Sequence, residues 1–393
     1  MKEGRATIIL FITLFLVMAG FGVILPTLPY LVIHMGGNSI SLGFLTASYS
    51  LLQFFFAPLW GRWSDRIGRR PVLLIGLSGY GVTFILFGLA SQLWMLFAIR
   101  LLSGMISSAT LPTAMAYMAD ITPAEKRASG MGMMGAAMGL GMIVGPALGG
   151  WLGHYGFSIP FFVAGAMALM TMPFAFALLP ESLKEENRRT EASTDSNPWP
   201  LLRAFRHPQR WLFGLTFIIS FTMALFEGTF ALFSYERFQF GTREMGFLFA
   251  ALGFLAVLIQ AGLMGKLVKR FGNVRLIMGG LILSACGLTL TLFAPAVLWL
   301  FLFTALYSMG SSILRPNVST LVSQTAPEGQ GISLGIMQSF DSLGRIMGPI
   351  VGGALYHLWF GLPYLAGALS VAVTLLVSWK RLQGYGRLLE EQS

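Results

Sequence analysis

The sequence is 393 residues long, 55% hydrophobic and only 11% charged, with a mean hydropathy of +0.72 and a formal net charge of +10. An ordinary water-soluble protein carries about 25% charged residues, so too little polar surface exists here to cover a soluble body of this size. The apolar runs are long and unbroken, unlike the short alternating segments of an outer-membrane barrel, and the single cysteine, Cys286, excludes an intramolecular disulfide and any cysteine-based metal cluster.

The first run begins at Ala6, behind Lys2 and Arg5, and continues to about Val32. It is too long for the core of a signal peptide, and no small-residue cleavage site follows it. A membrane helix needs about 20 apolar residues, which this run supplies. Eleven similar runs follow near 40–61, 71–91, 93–118, 128–152, 157–180, 211–235, 244–265, 274–294, 296–322, 331–355 and 361–380. The expected fold is therefore an all-α integral membrane protein with twelve spans. Both termini then lie on one side.

Between spans 2 and 3 runs GRWSDRIGRR (61–70). Gly61 permits close approach of helix ends. Asp65 is placed to accept hydrogen bonds from Arg69 or from helix N-terminal amides. Span 4 contains RLLSG (100–104), with Arg100 inside the membrane, and ends at Asp120. Arg127 opens span 5, which continues into GLGMIVGPALGG (139–150). Its glycines allow tight helix packing, and Pro146 removes a backbone bond. A hinge and ordinary small-residue packing both fit this pattern.

Residues 184–210 form the longest polar stretch, read as a linker between bundles of six spans at 1–183 and 211–393, with a short surface helix from Pro198. Span 7 holds Glu227 in the run ISFTMALFEGTFALFSY (219–235). Phe226, Phe230 and Phe233 fall near one helical face, as cavity lining or as packing. Span 10 carries Arg315 before Pro316, placed to bond carbonyls freed by a kink. Span 11 carries Asp341 and Arg345, four apart and able to pair on one face.

The basic residues are unevenly placed. Arg100, Arg315 and Arg345 fall inside spans, and Arg237 and Arg243 on one side. All the others collect on the side of the termini. Lys and Arg mark cytoplasmic loops, so both termini are expected in the cytoplasm of a bacterial-type inner membrane. The same placement explains the net charge without nucleic acid, because these charges face an anionic leaflet.

The two halves repeat. GRWSDRIGRRPVL (61–73) lies over GKLVKRFGNVRLI (265–277), aligning Gly61 with Gly265, Arg66 with Arg270 and Gly68 with Gly272. Pro112 and Pro123 fall on Pro316 and Pro327, and GMIVGPALGG (141–150) on GRIMGPIVGG (344–353). Parallel six-span repeats are a known transporter plan, with the substrate site near the bilayer midplane.

On these residues the chain resembles the major facilitator superfamily from end to end. GRWSDRIGRR matches the family's motif between spans 2 and 3, RLLSG resembles its span 4 arginine motif, and GMIVGPALGG resembles the proline-glycine motif of its drug:proton antiporters. The stretch around Glu227 and the LRP at 314–316 resemble multidrug and fluoroquinolone pumps near the tetracycline exporters. The resemblance implies a cytoplasmic charge lock built from Gly61, Asp65, Arg66, Gly68 and Arg69, with Asp120 and Arg127 as further members. It implies a hinge or seal at Gly141, Gly145, Pro146, Gly149 and Gly150. It also implies a monomer with no cofactor, driven by the proton gradient. One departure stands out: Ser312 occupies the place where related pumps often carry a second acid.

Charges in mid-membrane cost about 2.5–3.5 kcal/mol each on insertion scales, and those that persist face a cavity or one another. Glu227 has no basic neighbour within a helical turn of its own helix, which suits a carboxyl that carries a proton and yields it to an arriving cation. Asp341 stands open between a second proton site and a structural partner of Arg345. Arg100, Arg315 and Arg345, with Phe226 and Phe230, are the candidate cavity residues. Two acids against three arginines also fit zwitterionic or anionic amphiphiles. The expected function is proton-coupled export of amphiphilic drugs. The alternatives are export of one metabolite such as a sugar or amino acid, a lipid flippase, or a non-transporting sensor. An enzyme is not expected. No nucleophile–base pair, metal cluster or Walker lysine is present, and His34, His154, His207 and His357 all fall in predicted loops.

Overall fold

The computed structural model describes residues 2–123, 126–183, 207–326 and 330–390, and among them every regular element is helical. Helices α1 (Lys2–His34), α2 (Ser39–Ile67) and α3 (Arg69–Leu89) open the chain. Helix α4 (Leu93–Ile106), a 3-10 turn (Ser107–Ala109) and α5 (Thr110–Ile121) make one interrupted span, followed by α6 (Arg127–Gly153) and α7 (Ile159–Leu178). The second half contains α8 (Arg210–Phe238), α9 (Thr242–Val257), a π-helical turn (Leu258–Leu263), α10 (Met264–Leu292), α11 (Val297–Gln324), α12 (Gln330–Leu358) and α13 (Leu362–Glu390). Most of the expected linker, 184–206, and the surface helix expected from Pro198 lie outside the described residues.

Ten described stretches are long and apolar enough to cross a membrane. One of them, Thr242–Leu292, is 51 residues long and turns at Gly272, where φ 74° and ψ 159° leave the helical region. It therefore makes two spans. Helix α12 has sufficient length, 29 residues, but Gln338, Asp341 and Arg345 dilute its apolar character. The described helices thus accommodate the twelve expected spans of a multi-pass membrane protein. The interruption of span 4 has a local cause. Pro112 cannot donate to the carbonyl of Ser108 four residues back, and Ser108 Oγ instead donates to the Met105 carbonyl at 3.0 Å.

The repeat is visible in the backbone. Gly68 joins α2 to α3 at φ 108°, and its counterpart Gly272 turns at φ 74°. Both angles lie in the left-handed region that favours glycine.

The chain divides into two compact units. The first comprises Met1–Asn38, Ser48–Asp195 and Gln239–Ala251; the second comprises Ser39–Ala47, Ser196–Phe238 and Leu252–Ser393. The start of α9 thus belongs with the first unit and the start of α2 with the second.

Within the first unit, α6 lies directly on α1. A Cβ at Gly141, Gly145 or Gly149 would strike the α1 backbone at Phe15, Ala19 or Val23, and one at Gly22 would strike Pro146. The other side of α6 meets the start of α9, where Gly150 and Gly246 face each other and Gly246 faces the Pro146 carbonyl. The second unit repeats this arrangement. Gly344, Gly348 and Gly352 press on α8 at Phe217, Phe221 and Leu225, Gly353 meets Ser39, and Gly43 meets the Pro349 carbonyl. Small residues let backbones approach and gain dispersion contacts where lipid offers no hydrophobic drive. Helix α6 continues unbroken through Pro146.

Gly61 requires a correction. A Cβ there would meet nothing within 4 Å among the described residues, so close helix approach does not explain this glycine. The contrast gives a test. We expect Gly145→Ala to destabilise the purified protein by about 2 kcal/mol, the scale of an overpacked core, and Gly61→Ala to change it by less than about 0.5 kcal/mol. Thermal unfolding in detergent measures both, and equal melting of the two variants would contradict the packing account.

Candidate functional site

The turn at Gly68 delivers the first amides of α3 to Glu181, just beyond α7. Arg69 N donates to Glu181 Oε1 at 2.8 Å and Arg70 N to Oε2 at 3.1 Å. Leu183 N donates to Oε1 at 3.1 Å. A carboxylate here satisfies orphan helix amides and complements the helix dipole. A side chain at Gly68 would press on this carboxylate.

Arg69 is the hub of the same cluster. Its Nη1 pairs with Asp65 Oδ1 at 2.5 Å and its Nε with Asp120 Oδ2 at 3.1 Å. Nη1 also donates to Ser64 Oγ at 2.7 Å, and Ser182 Oγ donates to Asp120 at 3.1 Å. The structure therefore brings Asp65, Arg69 and Asp120 together. Arg127 is not part of this arrangement; its Nη2 reaches the Ala119 carbonyl at 3.5 Å. Arg66 is exposed. Glu181, Ser64 and Ser182 were not anticipated. The only sequence signal for Glu181 was an acid directly after the apolar run of span 6.

The second cluster lies in the second unit, around Asp341 on α12. Asp341 is 3% exposed and accepts from four donors. Ser220 Oγ of α8 lies 2.5 Å from Oδ1. Arg315 Nη2 of α11 and Arg345 Nε both lie 3.2 Å from Oδ2, and Gln338 Nε2 lies 3.3 Å from it. Arg345 is the helical neighbour four residues on, while Arg315 comes from another helix. Arg315 turns to this carboxylate rather than to carbonyls of its own kink. Its side chain remains 51% exposed and Arg345 33%. Both arginines therefore keep donors available beside a buried acid. A small pocket at this place is lined by Thr216, Ser220, Arg315, Met337, Gln338 and Asp341.

Glu227 sits half-buried on α8. It makes no hydrogen bond or ion pair with another described residue. The charges that act on it are Arg345 and Arg315, and it in turn acts on the Tyr307 hydroxyl of α11. The basic neighbours missing from its own helix are thus supplied by α11 and α12. Asp341 accepts from four donors; Glu227 accepts from none among the described residues.

Phe226 and Phe230 belong elsewhere than expected. Phe226 is 4% exposed and Phe230 fully buried. Their rings stack at 4.4 Å, and Phe226 lies 4.7 Å from Tyr307 and 6.3 Å from Tyr364. They form a packed aromatic cluster and do not line the described pocket. Arg100 is buried on α4, its guanidinium 5.3 Å from the Tyr49 ring and 5.6 Å from the Phe87 ring. His34 and His357 close α1 and α12 rather than lying in loops. Among the described residues, no group of three or more His, Cys, Asp or Glu is placed to hold a metal ion.

The family model for the Major Facilitator Superfamily matches residues 10–263 and 243–388. The chain is 32% identical over 386 residues to multidrug resistance protein 2 of Bacillus subtilis (strain 168), covering 96% of each chain. It is 33% identical over 393 residues to the class C tetracycline resistance protein of Escherichia coli, covering 95% of this chain and 96% of that one. Among solved structures it resembles the human organic anion transporter MFSD10, with a TM-score of 0.71 and 25% identity over 95% of this chain and 99% of that one.

The geometry around Asp341 predicts a specific energetic coupling. Removing one partner of a buried charge pair leaves the other uncompensated, so Asp341→Asn leaves two guanidinium groups facing each other. We expect it to destabilise the protein by about 2–3 kcal/mol, the scale of lost charge-assisted bonds. Adding Arg345→Gln should restore part of that loss. Additive losses in a double-mutant cycle, read by unfolding in detergent, would show that the two residues are not coupled.

Proposed function

The chain belongs to the major facilitator superfamily, and from that premise we propose that it is a proton-coupled secondary transporter that exports amphiphilic drugs. The observation that carries the reading is Glu227: a half-buried carboxyl in a membrane helix, with no hydrogen-bonded partner among the described residues, under the influence of Arg315 and Arg345. Such a group is poised to exchange a proton for a ligand's positive charge. The names of the relatives, a multidrug and a tetracycline resistance protein, support drugs as cargo.

With both acids ionised, Glu227 and Asp341 balance Arg315 and Arg345. A proton on Glu227 leaves one positive charge in excess, and so does a bound cation. Proton and cationic drug are therefore electrically interchangeable at this place, as exchange requires. A zwitterion leaves the sum at zero, so zwitterionic amphiphiles fit only by placing their cationic group at Glu227 and their anionic group beside an arginine. Asp341, engaged by four donors, serves in this account as a fixed counter-ion and Glu227 as the proton carrier.

The remaining parts follow the same reading. The protein is a monomer in a bacterial inner membrane with both termini in the cytoplasm, where its basic loops face the anionic leaflet. Two six-helix bundles, 1–183 and 211–393, work by alternating access across the 184–210 linker. Asp65, Arg69 and Asp120 form a charge lock that closes one state, and Glu181 anchors it. The seam from Gly141 to Gly150 holds α6 on α1 as a stiff unit. The protein uses no cofactor and makes no covalent change in its cargo; the proton gradient supplies the energy.

The test uses purified protein in liposomes with an imposed pH gradient and ethidium as cargo. Wild type should transport only with the gradient, and Glu227→Gln should fall at least about tenfold, the scale of one lost charge interaction of about 1.4 kcal/mol. Undiminished transport by the variant would place proton coupling elsewhere. If wild type moved no amphiphile, export of a single metabolite or of lipid would replace the drug reading.

A further inference from the structure

Helices α8 and α13 pack together in the second unit. The start of α8 meets the end of α13 at a tryptophan and an arginine. The Arg381 guanidinium carbon lies 3.6 Å from the centre of the Trp211 ring, the separation of a flat stack. A stacked guanidinium spends none of its N–H donors on the ring, because they point outward in its own plane. Arg381 is exposed, and no hydrogen bond or ion pair engages it among the described residues. Its position is fixed while its donors are free.

Arg381 also forms one wall of an open groove of about 570 Å³, together with Leu376, Val377 and Trp379. Those three are uncovered: Leu376 is 77% exposed, and Val377 and Trp379 are exposed as well. They end the apolar span Leu362–Trp379, and Arg381 follows two residues beyond. The groove is therefore apolar along the membrane and cationic at its rim. Arg210, also exposed, precedes Trp211 and adds a second positive residue at this end of α8.

We propose that this groove binds an anionic phospholipid of the surrounding leaflet, its phosphate at Arg381 and an acyl chain along Leu376, Val377 and Trp379. A free anion would meet the guanidinium and leave the apolar wall unused. An uncharged chain would leave the guanidinium without a counter-charge. A phospholipid answers both. Guanidinium and phosphate match through parallel N–H donors, and the Trp211 ring fixes the plane of that fork. The end of α13 is the side that the proposed topology turns to the cytoplasm, where the leaflet is anionic. A zwitterionic headgroup carries its own ammonium beside the phosphate and gains less. The site involves neither Glu227 nor Asp341 and stands whether or not the protein exports drugs.

The test needs no gradient, so it separates this proposal from export itself. Purified full-length protein in detergent is mixed with phosphatidylglycerol and phosphatidylcholine of identical acyl chains, and native mass spectrometry counts which lipid stays bound. Wild type should retain one phosphatidylglycerol with a preference of about fivefold, the weight of one arginine beside an anionic lipid. Arg381→Gln, at an exposed position, should abolish that preference. Trp211→Leu keeps the charge but removes the ring that holds it, and should lower the preference part-way. Lys269→Gln removes an exposed charge from another loop and should leave it intact. Equal retention of both lipids by wild type, or an Arg381→Gln variant that keeps the preference, would overturn the proposal. A Lys269→Gln variant that loses as much would also overturn it, because the effect would then be general charge. So would displacement of the lipid by glycerol phosphate as effective as by dioctanoyl phosphatidylglycerol, which would assign the groove to free phosphate.

Discussion

An ionic group inside a lipid bilayer has no water to stabilise it, and each one that remains must find its opposite or face a cavity. That constraint organises the interior of this protein. Asp341 draws Arg315 from α11, Arg345 from its own helix and Ser220 from α8 to one point. Three helices are thereby tied at a single carboxylate, whereas Glu227 has no hydrogen-bonded partner among the described residues. One carboxylate thus holds arginines in place; the other is the one the proposed function assigns to proton exchange.

The second constraint is steric. With no hydrophobic drive between helices in lipid, α6 and α12 gain contact by bringing backbone against backbone. The same glycine spacing does this in both units, Gly141, Gly145 and Gly149 on α1 and Gly344, Gly348 and Gly352 on α8. The duplicated halves keep this seam while diverging in charge. Asp65 has Lys269 as its counterpart, so the Asp65–Arg69–Asp120 cluster belongs to the first half alone. Conservation of packing with divergence of charge is what a duplicated scaffold with one specialised site requires.

The spans were legible because lipid demands long apolar runs, and the repeat because glycine and proline landmarks keep their spacing. The pair Asp341–Arg345 was legible from its four-residue separation. Contacts between distant helices were not. Nothing in the local pattern joins Arg315 to Asp341, 26 residues away, or Glu181 to the amides of Arg69 and Arg70. Phe226 and Phe230 show the same limit from the other side. Their spacing placed them on one face, but whether that face meets a cavity or other rings depends on Tyr307 and Tyr364, which lie on different helices. Gly61 looked like a packing glycine by composition, yet among the described residues no other helix reaches the place its Cβ would take.

The central claim is that ligand and proton compete for Glu227 while Asp341 stays fixed. It is tested most directly by the protons released when ethidium binds to purified protein in weakly buffered detergent, read with a pH-sensitive dye. The account predicts release of about one proton per ligand bound at a pH where the free carboxyl is protonated. The release should be lost in Glu227→Gln. Release that persists in Glu227→Gln would contradict it.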